Sequence, residues 1–247
     1  MSQRLLANTD QLNIVKNVSL FSGLTEEERS VLLKGAAVHS YPRKKTLFRE
    51  GDQIKSLYIV LSGIVQEFRE TLDGREITVN IHKTGDVFCK TGMFLKGSFH
   101  HTNTRAIDTV LVMELPIEQF KENLQKYESV ASRLLSSLAQ FAVMKQVEVE
   151  QQATMTATQL LATYLRQICE THGLDPRGFT LPYKKSLIAS RLGIELETLS
   201  RALPRLKEHG ITVRGSYVTF NNIPAPEQDL VKHFPMPVEA EKRAYAL

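Results

Sequence analysis

Three observations predict an α+β chain in three parts, built from 247 residues. Between His39 and Pro116, short β-branched and apolar runs are separated by Gly51, Gly63, Gly74 and Gly85, so that a turn falls every 11 or 12 residues. That spacing suits an all-β roll or barrel. From about Glu128 to Met155 apolar residues recur every three or four positions, which predicts one long helix. From Thr158 to Phe220 amphipathic helical segments are followed by two short β-like runs, a small helical unit closed by a hairpin.

Composition sets wide bounds. The chain is long enough for two domains with cores of their own. Lys and Arg number 31 against 27 Asp and Glu, a formal charge of +4 that permits nucleic-acid binding without suggesting it. No apolar run reaches the ~20 residues of a membrane span, and Asn8-Thr9-Asp10-Gln11 interrupts any signal-peptide core. Cys89 and Cys169 are too few for a disulfide framework or a four-cysteine metal site. Free thiols in a reducing, cytoplasmic compartment are expected, with no membrane partner.

In chain order, residues 1–38 read as helical. A helix start at Thr25 is followed by Glu26, Glu27 and Glu28 in the first turn and an apolar face at Val31, Leu32 and Leu33. The clearest strands are Ser56–Leu61, Ile64–Phe68, Ile77–Ile81 and Val110–Leu115, with a hairpin turn at Asp73-Gly74. Ile117–Tyr127 continues as helix into the long one. There Val130, Leu134, Leu138, Phe141 and Met144 make a narrow stripe that fits a two-helix seam. Packing of that stripe on the β-roll of its own chain is the other reading, and both can hold at different levels of the helix. Thr158–Thr171 is a further amphipathic helix, ended by His172-Gly173. The expected division is 1–127, 128–155, 156–222 and a proline-bearing tail, 223–247.

The stretch Leu181–Phe220 carries the clearest chemistry. Ile188 and Leu192 share one face of a short helix, and Gly193 supplies a tight turn. A second helix sets Leu196, Leu199, Leu203 and Leu206 on one side and Glu197, Ser200, Arg201, Pro204 and Glu208 on the other, and Gly210 closes it. Ile211–Val213 and Tyr217–Phe220 flank Arg214-Gly215-Ser216 as a hairpin. Helix, turn, helix and hairpin together read as a winged helix-turn-helix. Near the helix N-terminus, the end that enters a major groove, an arginine at position 201 can bond both acceptors of a guanine and Glu197 can accept from a cytosine amino group. Lys184, Lys185, Arg191 and Arg214 surround that ridge as candidate phosphate contacts. Glu197 and Arg201 also stand at the spacing of a surface ion pair worth about 0.3–0.5 kcal/mol. The two readings are compatible, because a pair at this spacing can pre-orient the arginine.

Glu197-Thr198-Leu199-Ser200-Arg201 after Leu192-Gly193 resembles the CRP/FNR family of bacterial transcription regulators, in which Glu, Ser and Arg read a TTGA-like half-site. Arg49-Glu50-Gly51-Asp52, Tyr58 and Ser62-Gly63 likewise resemble that family's cyclic-nucleotide-binding-like jelly roll. The resemblance covers roughly Leu20 to Phe220. It implies a homodimer joined along the long helix, double-stranded DNA as ligand and RNA polymerase as partner. Two departures stand out: Glu195 where a Ser or Thr cap is usual, and Pro204 within the recognition helix.

In nucleotide-binding members, a Gly-Glu pair holds the ribose and an Arg-Ser/Thr pair the phosphate. The matching slots here hold Cys89-Lys90 and His100-His101. Lysine has donors only, and neutral histidine lacks arginine's fixed charge, so a cAMP site is disfavoured. Two distant cysteines disfavour an iron–sulfur cluster. Cys89, Lys90, His100 and His101 are kept as a candidate effector pocket. Haem ligation by one histidine is the alternative to solvated side chains, and no metal site is assigned. A regulatory module acting on a protein partner is the competing function. No nucleophile elbow, phosphate loop or dinucleotide turn supports an enzyme.

Overall fold

The computed structural model describes residues 3–5, 8–95, 97, 99–124 and 126–221. Two compact units, Met1–Ala139 and Gln140–Leu247, divide within the longest helix. The tail expected at 223–247 lies outside the described residues.

The first unit begins with β1 (Gln3–Leu5), α1 (Thr9–Asn17) and α2 (Glu26–Leu32). It continues through β2 (Ala37–Tyr41), β3 (Thr46–Phe48), β4 (Ser56–Ser62), β5 (Val65–Glu70) and β6 (Glu76–His82). Then come β7 (Val87–Phe88), β8 (Asn103–Ala106), β9 (Val110–Pro116), α3 (Ile117–Leu124) and the start of α4 (Glu128–Thr154). Two antiparallel sheets, β1-β2-β9-β4-β7 and β3-β8-β5-β6, form the roll. The opening 38 residues are not all helical. β1 pairs with β2, Gln3 opposite Ser40, and β2 already starts at Ala37. A three-residue strand carries too few alternations to show a period of two.

The first two helix starts follow from their caps. Asn8 and Gln11 exchange side-chain bonds with each other's backbone N–H at the head of α1, and Thr25 and Glu28 do the same at α2. Such reciprocal caps satisfy two otherwise orphaned donors. Between β4 and β5 the chain turns at Gly63, with φ of +82°, where a β-carbon would come within 2.6 Å of the Thr109 carbonyl. Only glycine meets both demands.

β4 explains why Leu57–Leu61 reads as one apolar run. Tyr58 and Val60 face a core inside the roll with Tyr41, Phe48, Val65, Phe88, Ala106, Val110 and Val112. Leu57, Ile59 and Leu61 face a second core built with Val15, Leu32, Ile117, Phe120 and Leu124 from the surrounding helices and Phe21 from the turn between α1 and α2. Both faces are buried, so alternation vanishes from the sequence.

That second core takes Val130 and Leu134, both fully buried, and Leu138 packs against it. Two of the five stripe residues expected at an intermolecular seam therefore belong to the chain's own core, which corrects their assignment to a dimer interface. Each buried leucine-sized side chain contributes about 1.5–3 kcal/mol by leaving water, reason enough for the helix to rotate that face inward. Leu135 and Val149, by contrast, are 67% and 66% exposed, and Val143 is exposed with them.

The second unit holds the end of α4, α5 (Ala157–Thr171), β10 (Phe179–Thr180), α6 (Lys185–Leu192), α7 (Leu196–Arg205), β11 (Ile211–Arg214) and β12 (Tyr217–Phe220). α5 starts from a Thr156–Gln159 capping box and buries Leu161, Leu165 and Ile168. β11 and β12 pair as a hairpin with Arg214 opposite Tyr217, and β10 adds a third strand against β12. Two residues long, β10 left no pattern in the sequence. No helix among the described residues is long and apolar enough to cross a membrane.

Candidate nucleic-acid interface

The helix pair that carries the ridge is set by its turn. α6 ends at Gly193 in the left-handed region, φ +67°, and the Ile194 N–H closes the turn by donating to the Ala189 carbonyl at 3.1 Å. Glycine takes this conformation without a β-carbon penalty. Glu195 stands at the N-cap of α7, and its side chain makes no capping bond to the helix. Ile188 and Ala189 of α6 and Leu199 and Ala202 of α7 are buried, and Leu206 beyond α7 is buried with them. Leu196, expected on that inner face, is 49% exposed; standing at the first position of α7, it precedes the turn that packs.

Pro204 stands in the last turn of α7 and offers no N–H to the Ser200 carbonyl. The α-helix ends one residue later and tightens into a 3-10 turn over Leu206–His209, closed by Gly210 at φ +71°. The base-reading candidates all precede the proline. Glu197, Ser200 and Arg201 line one open concavity together with Glu195 and Leu196. The Ser200 hydroxyl donates to the Leu196 carbonyl at 2.9 Å. Arg201 and Glu197 approach to 3.9 Å with both side chains largely in solvent, so the pair holds the guanidinium loosely and leaves it accessible.

Lys184 caps α6 without a side-chain bond to it and is exposed, Lys185 is half-buried, and Arg214 is exposed next to the hairpin turn. Arg191 differs from the other cations assigned to phosphate. Its guanidinium makes a short ion pair with Glu148 of α4, and its side chain is only 15% exposed. An arginine held by a carboxylate away from water is not presented to DNA, and its assignment as a phosphate contact is corrected accordingly. No sequence pattern links positions 43 residues apart, so the pairing of Arg191 with Glu148 is not legible in the amino-acid order.

The four candidate effector residues separate. Cys89 has a left-handed backbone, φ +65°, and its Sγ lies 3.8 Å from His100 Nδ1. His100 is buried, with its ring stacked on Phe48 at 3.5 Å between centroids. Burial pushes the His100 imidazole below its usual pKa, and the carboxylates of Asp52 and Glu67 oppose this only in part. Burial likewise pushes the Cys89 thiol well up. His101 is exposed. Lys90 reaches α4, where its Nζ donates to Ser137 Oγ at 2.7 Å.

Beside them lies a cluster unread in the sequence. Glu67 accepts from Asn80 Nδ2 and Thr102 Oγ1, each at 2.7 Å, and meets His82 Nε2 at 3.1 Å. Burial alone would raise its carboxyl. The hydrogen bond and charge of His82, with the bonds from Asn80 and Thr102, bring it down to about 2 instead. A carboxylate inside an alternating strand was the available signal. The roll thus places a partly buried carboxylate and a buried imidazole of lowered pKa beside the two slots that resemble those of the nucleotide binders. Among the described residues no three or more His, Cys, Asp or Glu side chains gather as metal ligands would.

Comparison with known proteins agrees with both halves of the chain. Residues 38–127 match the model of the cyclic nucleotide-binding domain, and residues 159–225 that of the Crp-like helix-turn-helix domain. The fumarate and nitrate reduction regulatory protein of Shigella dysenteriae is 30% identical over 183 residues, 72% of each chain. Its counterpart in Escherichia coli strain K12 is 29% identical over the same extent. The solved structure of FixK2 from Bradyrhizobium japonicum, 24% identical, superposes with a TM-score of 0.66 over 76% of this chain and 93% of that one, a likeness of fold. A β-roll, a long helix and a winged helix-turn-helix bearing Glu197, Ser200 and Arg201, matched at both ends by transcription regulators, place this chain in the CRP/FNR family of transcription regulators.

Proposed function

We propose that the chain acts as a homodimer that reads a TTGA-like inverted repeat under control of a signal at the β-roll other than a cyclic nucleotide, and that it works on RNA polymerase at the promoter. The exposed ridge of Glu197, Ser200 and Arg201 carries this reading. A guanidinium fork in a loose pair suits bidentate bonding to guanine, Glu197 suits the opposed cytosine, and Ser200 suits a neighbouring thymine. Lys184, Lys185 and Arg214 suit the phosphates to either side.

Support for the dimer comes from α4. Leu135, Ala142 and Val149 recur at seven-residue intervals on one exposed face, the heptad spacing of a two-helix seam. Two recognition helices then fall about 34–36 Å apart, one turn of DNA. Support for a signal other than a cyclic nucleotide comes from the buried neutral His100 and from Lys90 joined to Ser137. Selection of sites from random DNA tests the reading. Inverted repeats with a guanine in each half-site are expected, and enrichment of no common sequence would refute it.

A further inference from the structure

Arg191 of the helix-turn-helix faces the long helix, where its guanidinium pairs with Glu148. Its partner Glu148 is 23% exposed and also accepts from Lys145 Nζ at 2.8 Å. Beside them on α5, the Tyr164 hydroxyl is pushed up to about 12 by burial, with the charge of Arg191 opposing and that of Glu148 adding. The three side chains come from α4, α5 and α6. The covalent connection between α4 and α5 is short, two residues, Met155 and Thr156. Glu148 lies six residues before the end of α4, about 9 Å along the axis from that connection. A single short link lets a domain swivel. A second point of attachment some 9 Å away removes that freedom, and a half-buried ion pair keeps its geometry in salt better than an exposed one.

We propose that the Glu148–Arg191 pair is a strut that fixes the pose of the helix-turn-helix on the C-terminal part of α4, and so sets which half-site spacing the dimer accepts. This rests on the dimeric DNA-reading function proposed above. Glu148 and Arg191 are positioning residues; neither touches a base. Each half-site is read by α7 of one protomer, and one added base pair rotates and displaces one half-site relative to the other. A dimer with rigid poses rejects that change, whereas a dimer with loosened poses tolerates it.

The test measures affinity for duplexes carrying two selected half-sites at the selected spacing and with one base pair added, using the full-length protein. Wild type is expected to prefer the selected spacing. In Glu148→Gln and Arg191→Gln that preference falls roughly tenfold, the size of one coupled pair, while base preference within each half-site and the salt slope stay as in wild type. Reversing both charges, Glu148→Arg with Arg191→Glu, restores the preference. Lys145→Gln, which leaves the pair intact, does not change it. Circular dichroism confirms that each variant is folded, and a pair of single variants that cannot fold while the reversed pair folds and keeps the preference also supports the strut. Unchanged spacing preference in folded Glu148→Gln overturns the proposal. So does an Arg191→Gln variant that weakens all duplexes alike and flattens the salt slope while Glu148→Gln is silent, since Arg191 is then a phosphate contact. Absence of any specific binding by wild type overturns the functional reading and the strut together, whereas specific binding with no change in the variants overturns the strut alone.

Discussion

Arg201 and Lys185 differ in what they offer to DNA. The first projects from the ridge into solvent with a 3.9 Å contact to Glu197, and the second stands at the first turn of α6. Arg201→Ala is expected to lose about 1–3 kcal/mol on a selected site and to relax preference at one base pair. Lys185→Ala is expected to weaken all sequences alike and lower the salt slope by about one. Gel shift across a salt series separates the two. Glu67 gives a residue-scale prediction about stability. Its carboxyl is held at about 2 against an ordinary 4.5, so the fold binds the ionised form more tightly than the unfolded chain does. That stabilisation, of the order of 3 kcal/mol, is present above pH 4.5 and is lost as pH falls towards 2. Glu67→Gln is expected to flatten the acid limb of stability in urea unfolding; an unchanged limb would show that the cluster contributes nothing. His100 acts in the same direction at higher pH. The unfolded chain binds its proton below about 6.5 while the fold resists it, so stability falls as pH drops through that range.

The element with two jobs is α4. Leu134 is buried in the chain's own core and Leu135, one position on, is exposed. Leu134→Ala is expected to destabilise the fold by about 2–5 kcal/mol, measured by denaturant unfolding, through lost burial and the cavity left behind. Leu135→Glu is expected to leave the monomer folded while sedimentation shows dissociation and operator affinity drops, because a charge placed in an apolar seam must be desolvated. A Leu135→Glu protein that stays dimeric with native affinity would remove this face as the seam. In α7 the order along the helix decides the outcome. The proline comes after the last base-reading candidate, but the bond it forfeits is the one to the Ser200 carbonyl, so the turn it loosens is the one that carries Ser200 and Arg201, while Glu197 lies before it.

At the scale of the molecule, a β-roll of the cyclic nucleotide-binding type is joined through a continuous helix to a DNA-reading unit. Lys90 bonded to Ser137 connects a turn of the roll to that helix directly. Cyclic AMP is expected to leave operator affinity unchanged, because Lys90 has no lone pair to offer a ribose hydroxyl and a neutral His100 has no charge to offer a phosphate. Calorimetry that registers micromolar binding would overturn this assignment of the pocket.

Much of this architecture was legible in the amino-acid order because it rests on local chemistry. The turns at Gly51, Gly63, Gly74 and Gly85 all take positive φ, the cap at Thr25 forms, and Gly193 and Gly210 end their helices in the left-handed region. Each of these depends on a residue and its neighbours within a few positions. The ridge of α7 follows from helical period alone. What the order of residues left open was every choice between partners distant in the chain. A stripe on α4 has the same period whether it meets its own core or a second copy, and only packing assigned Val130 and Leu134 to the former. An arginine near a recognition helix has the same charge whether it meets a phosphate or a carboxylate, and only the approach of Glu148 decided for Arg191. Glu67, His82 and Thr102 span 35 residues and meet because β5, β6 and the loop before β8 fold together. Secondary structure is written in short-range propensity and period, whereas the pairing of charges and the inward face of a helix are settled by burial, which exists only once the chain has closed on itself.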